Sequence, residues 1–318
     1  MCMSIDIIIV NWNAGEQLHA CLQSIKSAST SGFRVDRVVV VDNGSNDGSL
    51  IGIESLSLPI KIIRNSINRG FGAACNQGAE DCESQYVLFL NPVTILYESS
   101  LVVPLTFMND EANKNVGICG IQLVDENRHI TRTCARFPNF ARFAAQSIGI
   151  SKIPGFTGSA VHMADWDHSS NNSVDHVIGA FYLIRRSVFE TLKGFDERFF
   201  VYLEDIDLSY RANELGWQVM YLTGAQAFHA GGGTSRAVLA RRLFYSLRSR
   251  LLFGFKHFPL WQAWVLLGIT LIVEPLSRSI FSLLRGGLRD VNNTWSGYCM
   301  LYRDLPHILP KSSMNSKA

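Results

Sequence analysis

The chain has 318 residues, of which 47% are hydrophobic and 18% charged. That suits a large α/β domain with an appendage and excludes disorder, collagen and coiled coil as dominant classes. The net charge of +2 hides an uneven split, because residues 1–230 hold 17 Lys and Arg against 24 Asp and Glu, while residues 231–318 hold 12 against 3.

An acidic body with a basic tail predicts a tail that meets something anionic. The seven cysteines include no CxxC pair. This points away from a disulfide framework or zinc site and toward a reducing cytoplasm. Residues 5–10 are an unbroken apolar run that reads as a buried strand; it is too short, and lacks the basic lead, for a secretory signal. The spacing of Leu18, Leu22 and Ile25 predicts a helix over 15–28. A second strand over 37–41 ends at Asp42-Asn43-Gly44-Ser45, and a helix is expected over 47–56. A strand over 60–64, a helix over 71–82 and a strand over 86–90, stopped by Asn91-Pro92, complete the alternation. Such alternation predicts a mostly parallel sheet with helices on both faces, its ligand lying beyond the carboxyl ends of the strands.

From residue 116 the pattern changes. Strands are expected over 117–123, 129–133, 177–184 and 217–221, and helices over 187–192 and 204–215. An irregular stretch over 136–172 separates the two halves. Leu239, Leu243, Leu247 and Leu251 predict a helix over 236–255. Residues 258–273 then carry no formal charge, a run short of the ~20 residues of a spanning helix. Glu274-Pro275 and an amphipathic run over 276–288 follow, with Arg278, Arg285 and, just beyond, Arg289. Apolar and basic character together, with Trp261 and Trp264 near one end, is the composition of an interfacial membrane anchor. A buried core or dimer helix is the plainer alternative. The basic tail lacks a polar recognition face, so nucleic acid is not expected as a partner.

Four constellations carry chemistry. Asp42, Asn43, Ser45 and Asn46 follow a strand tip, where they can either bind a base or merely form a turn and cap. Asn68-Arg69-Gly70-Phe71-Gly72 opens a helix that also carries Asn76, and a glycine-led helix start presents N–H groups to phosphate. Asn91-Pro92-Val93 ends another strand and supplies no carboxylate for a metal. Glu204-Asp205 starts a helix whose dipole favours ionised carboxylates, which suits a general base and equally suits plain dipole complementarity. Asp207 and Arg211 have the spacing of a structural ion pair. His229 sits among glycines, with a ligand role and a structural role equally open.

In chain order the sequence reads Asn11-x-Asn13, VVDNGSNDGS, NRGFGAACNQG, FLNP, GAFYLIRR, GFDERFFVYLEDIDLSYR and FHAGGGTS. This series resembles the family 2 inverting glycosyltransferases of the GT-A fold. Within them it is most similar to the bacterial rhamnosyltransferases of O-antigen and cell-surface polysaccharide synthesis. The resemblance covers residues 5–255. It implies an α/β GT-A domain over 1–235, with a donor half over about 1–115 and an acceptor half over about 116–235, followed by a basic, apolar helical region over 236–318. It implies transfer of a sugar, foremost L-rhamnose from dTDP-rhamnose, to a glycan or lipid-linked acceptor with inversion. The protein would work in the cytoplasm, peripherally at the inner face of the membrane.

By the same resemblance Asn11, Asn13, Asp42 and Asn43 would bind the nucleoside of the donor. Asn68, Gly70, Asn76 and Asn91 would line its ribose and diphosphate. Asp205 would be the catalytic base, with Glu204 orienting the acceptor. Mg²⁺ or Mn²⁺ would be held in part by His229. The sequence departs from the family at Val93, where a metal-ligating Asp is usual. That departure keeps open a catalytically impaired protein that only binds nucleotide sugars, and because the base and phosphate residues would look alike for another donor, a UDP-sugar donor in the same fold stays open too.

Overall fold

A computed structural model describes residues 3–29, 32–149, 161–231, 239–284 and 287–310. Part of the irregular stretch over 136–172, the start of the helix expected from 236, and Arg285 lie outside the described residues. The chain divides into two compact units. The first comprises residues 1–137, 161–200 and 204–234, and the second residues 138–160, 201–203 and 235–318.

The first unit is built on β1 (Met3–Asn11), α1 (Glu16–Ala28), β2 (Phe33–Asp42), β3 (Ile60–Arg64), α2 (Phe71–Ala79), β4 (Tyr86–Leu90), β5 (Thr94–Leu96) and α3 (Ser99–Asn109). These are followed by β6 (Val116–Val124) and β7 (Cys134–Ala135) and, after α4 (Phe140–Ser147) of the second unit, by β8 (Asn172–Val174), β9 (His176–Val177), β10 (Phe181–Arg185), α5 (Arg186–Thr191), α6 (Glu204–Glu214) and β11 (Gln218–His229). Among the described residues one sheet runs in the order β3-β2-β1-β4-β10-β6-β11-β5, with β8 added on β11. Strands β1 to β4 are mutually parallel, whereas β10 is antiparallel to both β4 and β6. Residues alternate across this sheet as strands require. Ile5, Ile7 and Ile9 pack with Leu18, Leu22 and Ile25 of α1 and Leu101 and Leu105 of α3. Ile8 and Val10 face the other way, onto Ala74 and Cys75 of α2 and Leu208 and Ala212 of α6.

The structure corrects the expected elements in four places. Residues 47–56 form turns and a single 3₁₀ turn at Ile53–Ser55, because Gly48 and Gly52 adopt positive φ and interrupt any α-helix. Residues 129–133 make only an isolated bridge, Val124 to Ile130. The strand expected over 177–184 breaks at Gly179-Ala180 into β9 and β10. The strand expected over 217–221 continues to His229, with an irregularity between Leu222 and Gln226.

The second unit contains α4, α7 (Leu239–His257), α8 (Leu260–Gly268), a π-helical turn (Ile269–Val273), α9 (Glu274–Leu284) and α10 (Leu288–Ile308). The stretch from Leu260 to Leu284 is one continuous helical rod of 25 residues, long and apolar enough to cross a membrane by length and composition. It is apolar on both its buried and its exposed side. Ala263, Leu266, Leu267, Thr270 and Glu274 are buried, while Trp261, Trp264, Val265, Ile272, Leu276 and Ile280 are exposed. Glu274 is bound by Arg250 of α7 and by Arg278, the latter at 2.8 Å.

Candidate active site

The site forms where β1, β2 and β4 end, as the carboxyl-end rule for such sheets requires. At the tips of the first two strands the polar side chains bind one another. Asn11, fully buried, donates through Nδ2 to Asp42 Oδ1 at 2.8 Å, Ser49 Oγ at 2.8 Å and Ser45 Oγ at 3.1 Å. Its own Oδ1 has no partner among the described residues. A buried acceptor left open costs about 1–3 kcal/mol and is satisfied by a donor from a ligand or an ordered water. Asn13, at positive φ, accepts from Asn46 N at 2.9 Å through its side chain. Asn43 donates to Asn68 Oδ1 at 3.2 Å and to Gly70 O at 3.0 Å, and accepts from Asn65 and from Arg69 N.

Asn11, Asn13, Asp42, Asn43 and Asn68 therefore share one network. Gly70 belongs to its edge: a Cβ there would lie 2.5 Å from Phe200 O, so only glycine lets α2 start so close to that strand of backbone. Asn76 is set apart. Its amide donates to Phe195 O at 2.9 Å and Glu197 Oε1 at 3.0 Å, and accepts from Phe195 N at 2.8 Å. These bonds clamp the turn before α6.

The carboxylate pair divides sharply. Asp205 accepts from Gly179 N and from Ile206 N, each at 2.9 Å, and lies 3.4 Å from His176 Nε2. Burial alone would raise its pKa, but the His176 charge and hydrogen bond, with the two backbone N–H groups, outweigh burial and leave it below the usual carboxylate range. Glu204 is buried beside Gly72, and its Oε2 has no hydrogen-bond partner among the described residues. Burial, then the neighbouring Asp205 charge, pushes it well above the usual range. The pair thus keeps one proton on Glu204 and one negative charge on Asp205. Asp207 and Arg211 form the expected ion pair at 2.8 Å, and Arg211 also ties down the Leu192 and Gly194 carbonyls. The two residues before Glu204, Tyr202 and Leu203, both hold positive φ, at 69° and 65°.

His176 escapes sequence reasoning. It is fully buried behind Asp205, and its Nδ1 lies 3.0 Å from Ser209 Oγ, which in turn lies 2.9 Å from Tyr182 OH. A single His at the head of a two-residue strand carries no periodic signal. The only signal is its place three residues before Gly179, which matters once the fold brings that loop to α6.

Three elements converge on Gly179-Ala180. Asn91, at the tip of β4, donates through its backbone N–H to Ala180 O at 3.1 Å. Gly179 N reaches Asp205, and a Cβ on Gly179 would lie 3.6 Å from the Phe71 ring at the start of α2. The start of α2, the Asn91-Pro92-Val93 turn and Asp205 are therefore adjacent.

His229 pairs with Thr94 across β11 and β5, and Ala230 N donates to Val93 O at 3.2 Å, so His229 and Val93 are neighbours. Burial holds the His229 imidazole below its ordinary pKa, hence neutral. Asn91 Oδ1 already accepts from Val93 N at 3.1 Å. Mg²⁺ and Mn²⁺ are held by carboxylates along with substrate phosphate, and here Val93 offers an isopropyl group. Among the described residues no three His, Cys, Asp or Glu side chains gather as a metal site. The described residues do not fit a cation site built by the protein.

Comparison with known proteins gives a consistent result. The model of glycosyl transferase family 2 matches residues 6–193, and that of glycosyl transferase family group 2 matches residues 105–302. The chain is 24% identical over 281 residues to N-acetylglucosaminyl-diphospho-decaprenol L-rhamnosyltransferase of Mycobacterium tuberculosis, covering 83% of this chain and 89% of that one. It is 26% identical over 242 residues to the O-antigen chain rhamnosyltransferase RfbN of Salmonella typhimurium, covering 75% and 70%. Among solved structures, the mannosyltransferase PcManGT from Pyrobaculum calidifontis, in complex with GDP-Man and Mn²⁺, superposes with a TM-score of 0.55 at 14% identity, over 95% of this chain and 86% of that one. GalNAc-T7 with UDP, GalNAc and Mn²⁺ has the same TM-score at 13% identity, and this chain spans 51% of its length. These two structures share the fold.

Proposed function

This chain belongs to glycosyl transferase family 2, and on that premise we propose that it moves L-rhamnose from dTDP-rhamnose to a lipid-linked saccharide, with inversion, in cell-surface polysaccharide synthesis. The observation that carries the mechanism is the convergence on Gly179-Ala180, because it puts an ionised carboxylate beside the donor end of the sheet. Residues up to about 115 hold the donor and residues 116–235 present the acceptor and the base. Asn11, Asn13, Asp42 and Asn43 receive the nucleoside, and the open Oδ1 of Asn11 supports a ligand donor there. Asn68, Gly70 and Asn91 border the ribose and diphosphate, and Asn76 serves this border by fixing the segment before α6.

In the reaction the acceptor hydroxyl oxygen bonds to the anomeric carbon while its proton passes to Asp205. The bond from that carbon to the diphosphate breaks, and its electron pair leaves with the nucleoside diphosphate. A single displacement of this kind inverts the anomeric centre. Asp205 is a competent acceptor because His176, Gly179 and Ile206 hold it ionised and oriented. Glu204 remains protonated, which avoids two adjacent buried charges and leaves it to shape the acceptor side from beneath. Charge on the departing diphosphate needs compensation. Arg69, just before the start of α2, is a cation this chain offers near it.

The specific support for a second reading is Val93. A protein that binds the nucleotide sugar without transferring it keeps every donor residue named above. A UDP-sugar donor is likewise compatible with these polar groups. The protein works at the cytoplasmic face of the membrane, where a lipid-linked acceptor would be found, and the exposed apolar rod of the second unit supports this.

Thermal-shift binding of dTDP-rhamnose, UDP-glucose and UDP-GlcNAc, each with EDTA or Mn²⁺, tests the donor. Stabilisation by dTDP-rhamnose alone is expected, followed by release of dTDP when acceptor is added. Stabilisation by a UDP-sugar instead overturns the donor assignment. Binding without turnover on any acceptor favours the binding protein.

A further inference from the structure

The rod from Leu260 to Leu284 is apolar on its exposed side as well as on its buried one. The side that faces the rest of the second unit carries Ala263, Leu266 and Leu267 and, further along, Thr270 and Glu274, both fully buried. The opposite side carries Trp261, Val265, Ile272, Leu276, Ile280 and Leu284 at helical spacing, with Ile272 66% and Trp261 63% exposed. A π-helical turn at Ile269–Val273 falls between the two halves of this stripe. On α10, Leu288, Trp295 and Tyr302 are exposed at seven-residue intervals, and Tyr302 OH donates to Leu271 O at 2.7 Å, so this second stripe adjoins the first. Soluble proteins seldom expose a contiguous apolar surface of this extent without a partner for it.

Two observations identify the partner. The first is charge: residues 231–318 hold 12 Lys and Arg against 3 Asp and Glu. Of those acids, Glu274 is consumed internally by Arg250 and Arg278, and Asp304 by Arg248 and His307. Arg241, Arg242, Arg289 and Arg303 are exposed, so the charge that the helices from α7 to α10 show to solvent is mainly cationic. The second is aromatic: Trp261, Trp264, Trp295 and Tyr302 all lie on the exposed side, and such amphipathic rings favour the boundary between headgroup and acyl chain.

Length alone would let the rod span a bilayer. Its middle forbids that. A spanning pose puts Glu274 near the midplane, and Glu274 is bound to Arg250 on α7, a helix that also exposes Arg241 and Arg242. Pulling the rod away would strand a buried charge, and taking α7 along would carry its arginines into hydrocarbon.

We infer that the rod lies in the plane of an anionic lipid monolayer, docked on α7 by the Arg250–Glu274–Arg278 cluster, with its Trp261-to-Leu284 stripe among the acyl chains. This deepens the membrane-surface reading above. Flotation of the whole chain with phosphatidylcholine vesicles, with and without phosphatidylglycerol, tests it. Binding is expected only with phosphatidylglycerol and should weaken with salt. The double variant Ile272→Glu/Ile280→Glu alters only exposed positions and should bind at least about tenfold less tightly. Alkaline carbonate should release the bound protein. Retention in carbonate would mean that the rod spans. Equal flotation of the variant, or no binding paired with a self-associated chain in sedimentation, would assign the stripe to something other than lipid. Transfer to a short water-soluble acceptor should be unchanged in the variant, so a failure of the catalytic reading shows up separately.

Discussion

Asp205 of the first unit and Glu274 of the second hold their charges in opposite ways. In the first, the half-buried Asp205 at the start of α6 has its pKa held down, while that of the buried Glu204 beside it is pushed up. Its partners are light: two backbone N–H groups and a histidine. In the second, Glu274 is buried between two guanidinium groups and its charge is fully matched. A carboxylate that is oriented yet only partly compensated can accept a proton. One clamped by two arginines can only hold helices together. Burial of an acid is therefore a poor sign of function until its partners are counted.

Substitutions sharpen this contrast. Asp205→Asn should lower turnover about a thousandfold while donor binding and melting temperature stay close to those of the parent; single-turnover assays and calorimetry read both. A variant that retains near-parental rate removes Asp205 from the mechanism. Glu274→Ala should do the reverse, destabilising the chain by about 3–5 kcal/mol in chemical denaturation because the buried Arg250 loses its counter-charge, and Arg278 with it. His176→Gln keeps a polar group behind Asp205 but removes the imidazole. Turnover should fall about tenfold, and the acidic limb of the pH–rate profile should move to higher pH, since Asp205 loses the interaction that holds its pKa down. A uniform loss with an unmoved limb would make His176 purely structural.

The pair also predicts opposite pH slopes for stability. Glu204 has a folded pKa above its unfolded value of 4.5. Its contribution is complete below that value and is lost as pH rises through the folded pKa. Asp205 has a folded pKa below 3.8, so its contribution is present above 3.8 and is lost as pH falls through the lowered value. Glu204→Gln should accordingly flatten the decline on the alkaline side and leave the acid side intact, a change of roughly 1–2 kcal/mol by denaturant titration. The smallest effect is expected from Val93→Asp. With a nucleotide sugar bound, Mn²⁺ should raise the variant's melting temperature by about 2–4 °C, and EDTA should remove the rise.

Much of the first unit is legible in the sequence because its strands are short apolar runs closed by polar tips. Asn11, Asp42 and Asn91 stand where the sheet rule puts a ligand, and Glu204-Asp205 stands at a helix start. Other features depend on contacts that no local pattern encodes. The turn at 47–56 contains enough apolar residues to imitate a helix, yet Gly48 and Gly52 decide against it. His176 gains its meaning only when β9 is laid beside α6. In the second unit an apolar run interrupted by Glu274 reads as two short segments. The structure joins them, because Arg250 and Arg278 supply the counter-charge that a one-dimensional reading cannot see.

The two left-handed residues ahead of the base have a thermal consequence. Tyr202 and Leu203 each hold a conformation that costs about 1–3 kcal/mol and persists only while surrounding packing enforces it. On warming, that enforcement should slacken locally before the sheet melts, and the start of α6 would relax first. Heat should therefore silence the enzyme some degrees below the temperature at which it unfolds, and cooling from that interval should restore it in full.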